Sequence, residues 1–169
     1  MLIILAGLPG TGKSTLARAL AERLHGHVLD KDRVRDALFG PDRIEFSTDQ
    51  DDLVVSLMLQ AASHIWWKDD RAAIILDGRV FSRNSQLRQV TDFADKLGQS
   101  WHVIECVCSA DTARRRIVAD HAGGTHPAAN RNAALYDAVR ARFEPIPQPK
   151  VIVDTEENVN LEELVSKLR

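Results

Sequence analysis

Gly7, Leu8, Pro9, Gly10, Thr11, Gly12, Lys13 and Ser14 satisfy the spacing GxxxxGK[ST] at every fixed position. That spacing has a chemical meaning. Glycines let a backbone curl around an anion so that successive N–H groups point inward. The lysine brings a mobile positive charge to the β- and γ-phosphates of a nucleoside triphosphate, and the hydroxyl beside it is placed to ligate Mg²⁺. The predicted nucleotide-binding residues are Leu8, Pro9, Gly10, Thr11, Gly12, Lys13, Ser14 and Thr15.

Carboxylates recur where apolar runs end. Asp77 closes Ala73–Leu76 and is expected to support the metal with Ser14, directly or through a bound water; the plainer reading is a turn Asp before Gly78. Asp30, Lys31, Asp32, Arg33, Val34 and Arg35 open a helix, and Asp30 or Asp32 can cap it. Phosphoryl transfer to an alcohol also needs a carboxylate that orients the acceptor hydroxyl or takes its proton. Asp32 is the candidate for that role. Arg35, three residues on and on the same helical face, can clamp an anionic group of the acceptor, although exposed arginines are common. Arg79 and Arg83, beyond the third apolar run, are the other candidates for reading an anionic or strongly polar acceptor.

Five short apolar runs are expected to be the strands that position these groups: Leu2–Ala6, His27–Asp30, Ala72–Asp77, His102–Val107 and Lys150–Asp154. Helical stripes lie between or after them, at Leu16, Leu20 and Leu24, at Leu53, Leu57, Ala61 and Ile65, and at Leu161, Leu164, Val165 and Leu168. Strands alternating with helices imply an α/β fold whose parallel sheet is covered on both faces. Right-handed crossovers bring the carboxyl ends of the strands to one edge, where such sheets bind ligands. The phosphate loop, Asp30 with Asp32, and Asp77 therefore converge.

At 169 residues the chain suits one domain. Its 44% apolar and 27% charged residues are those of a soluble globular protein, and its net charge of −2 argues against long nucleic acid as a partner. The first apolar run is too short for a secretion signal or a membrane span, so a cytoplasmic location is expected. Cys106 and Cys108, two apart in one strand-like run, are predicted to be small buried side chains on one sheet face. Of Trp66 and Trp67, one is expected to pack on the sheet.

Taken together, the phosphate loop, the Asp32 to Arg35 spacing, the Asp77 strand end and the late run Val153, Asp154, Thr155 resemble the small P-loop kinases of the adenylate kinase-like group. The Asp32 to Arg35 element is similar to that of polynucleotide 5′-kinases. Asp30, Asp32, Val34, Arg35 and Leu38, followed by Phe46 and Ser47, resemble the pattern of adenylylsulfate kinases, with chloramphenicol and gluconate kinases more distant. The resemblance implies a three-layer sandwich with strand order 2-3-1-4-5 and a small helical lid at about 117–131 within a single domain, 1–169. It implies ATP and Mg²⁺ as cofactors, Lys13 and Asp32 as catalytic residues, and a substrate phosphate held by Arg35. Arg116 would contact the nucleotide, and the stretch from Thr155 to Asn158 would hold the adenine edge.

The chain also departs from that pattern. Asp120 stands where relatives often carry a second arginine, leaving Arg131 as the lid arginine that could take that role, and the segment from Arg79 to Arg83 lacks the adenylylsulfate kinase pattern. Gly123, Gly124 and Pro127 suit a lid that closes and excludes water, and His121 and His126 are expected to be solvent-exposed loop residues. The acceptor is then a small molecule or a nucleic-acid 5′ end bearing a hydroxyl. The competing reading is a nucleotide-operated switch with no acceptor, but no NKxD-type guanine reader is present.

Overall fold

The computed structural model describes residues 1–122 and 133–168, the side chains of residues 121, 122 and 133 excepted. The strands are β1 (Leu2–Ala6), β2 (His27–Asp30), β3 (Ile74–Asp77), β4 (Trp101–Val107) and β5 (Val151–Asp154). They form one parallel sheet in the order β2-β3-β1-β4-β5, the order expected. Helices α1 (Lys13–Leu24), α2 (Lys31–Phe39), α3 (Thr48–Lys68), α4 (Asn84–Lys96), α5 (Ala110–Ala122), α6 (Ala133–Ala141) and α7 (Leu161–Ser166) complete the fold, with a 3-10 turn at Pro41–Arg43.

β1 is buried along its whole length because helices cover both faces of the sheet. Its alternate residues serve different cores. Leu2, Ile4 and Ala6 pack with α3 and α4 through Val54, Met58, Trp66, Leu87 and Val90. Ile3 and Leu5 pack with α1 and α7 through Leu16, Leu20, Leu164 and Leu168. Each fully buried aliphatic side chain contributes roughly 1.5–3 kcal/mol of transfer free energy.

Three expectations need correction. The buried face of α3 is Val54, Val55, Met58, Leu59, Ala62 and Trp66, while Leu53 is 48% exposed. The row through Leu53, Leu57, Ala61 and Ile65 has helical spacing too, but the neighbouring stripe is broader and buries more apolar surface. β3 begins at Ile74 rather than Ala72, because the Ala72 carbonyl accepts from the Trp66 indole and the N-terminal ammonium instead of entering the ladder. Only Cys106 lies in β4; Cys108 sits beyond the strand end, half-buried, with its thiol 3.8 Å from the Gly10 carbonyl. None of the three helical stripes falls in α4 or α6.

The expected strand ends and two of the three helical stripes are borne out. Trp66 is the tryptophan that packs against the core, and Trp67 is 73% exposed. Among the described residues no helix is long and apolar enough to cross a membrane.

Candidate active site

The loop between β1 and α1 is tight against its surroundings. A Cβ at Gly7 (φ 131°) would lie 2.4 Å from the Cys106 carbonyl, and one at Gly10 (φ 77°) 2.4 Å from the Ala113 carbonyl. Both positions require a residue that tolerates positive φ and has no side chain. Lys13, 5% exposed, donates from Nζ to the carbonyls of Gly7 at 2.8 Å and Leu8 at 2.6 Å. The ammonium is thereby held against the loop at the head of α1, where the helix adds its own positive end.

Beside the loop lies a cavity of about 580 Å³ lined by Lys13, Ser14, Thr15, Arg116, Thr155 and Asn158, among others. Arg116 is fixed across it, donating from Nη1 to the Thr155 hydroxyl and from Nη2 to the Thr155 carbonyl, both at 2.8 Å. Of three consecutive arginines it alone lines this cavity. Arg114 pairs with Asp137, and Arg115 donates to the Thr112 hydroxyl. Glu156 ties the loop after β5 to α5, accepting from the Ser109 amide at 2.8 Å, the Ser109 hydroxyl at 2.9 Å and the Thr112 hydroxyl at 2.5 Å. Those bonds, that from Thr112 foremost, hold its carboxyl down at about 2.

Parallel register sets Asp30 of β2 directly beside Asp77 of β3. Asp30 is the cap of α2, its Oδ1 accepting from the amides of Asp32 at 2.9 Å and Arg33 at 3.3 Å. Burial first, and the Asp77 charge next, raise the Asp30 carboxyl above its ordinary value. With the cap supplied by Asp30, Asp32 turns to a second cavity of about 160 Å³, which it lines with Pro9 of the phosphate loop, Arg35, Arg79, Phe46 and Phe81.

Asp77 is 2% exposed, and its Oδ1 has no partner among the described residues. An orphaned carboxylate oxygen at a strand end suits a metal-bound water or a metal. Mg²⁺ commonly takes one or two protein oxygens and completes its shell with water and phosphate, so an all-protein cage is not required. Ser14 and Asp77 together fit that donor set.

The second cavity is walled by buried cations. Arg35 is 3% and Arg79 4% exposed. Arg35 donates to Asp51 and Arg79 to Asp52, two neighbours in the first turns of α3. Each guanidinium keeps one buried nitrogen without a partner among the described residues, Arg35 Nε and Arg79 Nη1. Each also lies over an aromatic ring, Arg35 at 5.2 Å from the centre of Phe46 and Arg79 at 5.9 Å from that of Phe81. Phe46 (φ 52°) and Phe81 (φ 55°) adopt left-handed backbone conformations that are unusual for bulky residues and often mark functional loops.

The predicted set is thus split between two cavities. Lys13, Ser14, Thr15 and Arg116 line the first, and Asp32, Arg35, Arg79 and the exposed Arg83 line the second. Arg131 and the expected lid beyond residue 122 lie outside the described residues. Sequence reasoning missed Lys31, Asp51 and Arg142, which line the second cavity, and Asp52, which pairs with Arg79. Lys31 could have been suspected from its place between two aspartates, but nothing local says that the start of α3 folds onto the start of α2.

Across residues 2–146 the chain matches the AAA domain family. Solved structures with the same fold include a candidate kinase from Chloroflexus aurantiacus, 26% identical, covering 99% of this chain and 96% of that one with a TM-score of 0.78. The APS kinase CysC of Mycobacterium tuberculosis, in complex with AMPPNP and APS, is 16% identical over the same shares with a TM-score of 0.71. Kti12 of Chaetomium thermophilum, in complex with ADP-AlF3, is 15% identical, again over 99% and 96%, with a TM-score of 0.70.

Proposed function

Because the chain belongs to the AAA domain family, here with a P-loop kinase fold, we propose that it is an ATP- and Mg²⁺-dependent phosphotransferase whose acceptor is a hydroxyl on an anionic small molecule or chain end. The carrying observation is that Asp32 and the buried residues Arg35 and Arg79 line one cavity that Pro9 of the phosphate loop also lines.

In this reading the first cavity takes the nucleotide. Lys13 and the loop amides bind the β- and γ-phosphates, and Arg116 with Asn158 borders the base. Ser14 and Asp77 would hold Mg²⁺, which when bound neutralises charge on the phosphates. Asp32 accepts a hydrogen bond from the acceptor hydroxyl and orients it toward the γ-phosphorus. Arg35 and Arg79 bind the anionic group with guanidinium groups that are largely out of water, where charge-assisted hydrogen bonds are strong. Arg83 at the rim adds charge, and Arg131 remains the proposed lid arginine.

The support is chemical. Two buried guanidinium groups lining one cavity favour a ligand of opposite charge, because a charged donor removed from water is costly until it is fully paired. The test is a screen of ADP release against phosphorylated and carboxylated alcohols, nucleosides, 5′-hydroxyl oligonucleotides, adenylylsulfate and neutral sugars. Turnover only with an anionic acceptor, lost in Asp32→Asn, supports the reading. Turnover on neutral acceptors alone removes the role given to the arginines, and absence of any transfer alongside slow hydrolysis favours a nucleotide-operated switch.

A further inference from the structure

Lys31 is the first residue of α2 and is 7% exposed, so its ammonium has left water almost completely. Its Nζ donates to Asp51 Oδ1 at 3.0 Å and lies 3.4 Å from Asp32 Oδ1. Arg35 reaches the same two oxygens, with Nη1 3.5 Å from Asp32 Oδ1 and Nη2 on Asp51 Oδ1. Two cations and two carboxylates therefore alternate around a closed ring. Among the described residues both ion pairs of Asp32 run through Oδ1.

A buried ring of this kind is weak evidence for stability, because removing charges from water costs several kcal/mol per ion and apolar replacements are often as stable. What the ring supplies is orientation. The terminal torsion of an aspartate is broad, so its carboxylate plane is poorly defined unless an oxygen is held. With Oδ1 held between two cations at 3.4 and 3.5 Å, the carboxylate is restrained in its rotation, in a side chain that lines one cavity with Lys31, Arg35 and Asp51.

We propose that Lys31 is a positioning residue for the transfer step: with Arg35 and Asp51 it pins Asp32 through Oδ1 and presents Oδ2 to the acceptor hydroxyl. This rests on the reading of Asp32 given above. The charged groups facing the ammonium are Asp32 and Arg35 on its own helix, Asp51 on α3, and Arg79 after β3. Burial, reinforced by the two arginines and opposed by Asp32, lowers the ammonium to about 8, so the clamp loosens within an accessible pH range.

The test uses Lys31→Met and Lys31→Arg in the full chain. With an acceptor from the screen, Lys31→Met should lower kcat by about tenfold to a hundredfold while KM for ATP stays within about twofold. Lys31→Arg should recover most of kcat. Wild-type kcat should fall on the alkaline side, and the Lys31→Arg limb should move to higher pH because guanidinium does not titrate there.

The clamp is also read without any acceptor. The carboxylate ¹³C resonance of Asp32 should shift on deprotonation of Lys31 in the wild type and in Lys31→Met at neutral pH. An unmoved Asp32 resonance overturns the clamp whatever the chemistry, as does unchanged kcat in a folded Lys31→Met or an alkaline limb shared by wild type and Lys31→Arg. If the resonance moves as expected but no acceptor is phosphorylated, the kinase reading fails and the clamp stands as a structural device without its catalytic role, which also overturns the proposal.

Discussion

Asp51 and Asp52 are chain neighbours, yet they anchor arginines that arrive from different directions, Arg35 from α2 and Arg79 from the loop after β3. Consecutive residues of a helix point about 100° apart, so one helix start can brace two walls of a cavity. The two anchors are unequal. Asp51 also accepts from Lys31, and its side chain is 27% exposed against 47% for Asp52.

Asp51→Asn should therefore destabilise the protein by about 3 kcal/mol, because it leaves two buried cations poorly compensated. Asp52→Asn should cost closer to about 1 kcal/mol, its pair being half open to water. Urea unfolding of both variants checks the order, and an equal or reversed order would refute Asp51 as the hub.

Asp32→Asn keeps the shape of the side chain and removes its charge. ATP affinity by calorimetry should stay nearly that of the wild type, while acceptor phosphorylation falls by a factor on the order of a hundred or more. Equal activity in the variant removes Asp32 from the mechanism.

Lys31 should make stability and turnover move in opposite directions with pH. Its folded pKa, about 8, lies below the ordinary 10.5, so between those values the unfolded chain binds more protons at this site than the folded one. This group then adds stability as pH rises through the window, while the clamp on Asp32 weakens. Thermal unfolding of wild type and Lys31→Met at pH 7.5, 9 and 10 isolates the contribution as the change in their difference; a pH-independent difference contradicts it.

Asp77→Asn removes a buried carboxylate whose Oδ1 has no partner among the described residues. Turnover should then require Mg²⁺ at concentrations about tenfold higher or more. The nucleotide-free protein should unfold at the same temperature or a higher one, since a residue poised for a ligand is often unfavourable without it. A magnesium titration identical to that of the wild type would remove Asp77 from the metal site.

Gly10→Ala should cut ATP binding by about tenfold or more, since the left-handed backbone alone costs about 1–3 kcal/mol, and the new Cβ would meet the Ala113 carbonyl. Fluorescent-nucleotide titration measures it, and wild-type affinity would show that the loop relaxes without losing its cradle.

The chain's own order of residues determined the phosphate loop, the strand-end carboxylates and the alternation that makes a parallel sheet. Loop spacing and strand periodicity are local, and the right-handed crossover rule turns a list of strand ends into one edge of a sheet. Asp30, Asp32 and Asp77 were legible for that reason. The α3 face was not, because two rows of helical spacing compete there and only packing against Ile4, Ile74 and Leu76 chooses between them.

What tertiary structure alone decided is which aspartate does what, and who holds it. Asp30 takes the cap, which frees Asp32. Asp51, sixteen positions beyond Arg35, closes the ring with it and with Lys31. Pairing over such distances follows from how α3 lies across α2, and no local pattern encodes it. Charge in the sequence says which groups could meet; burial selects the few that must, because a buried ion without a counter-ion is too costly to keep.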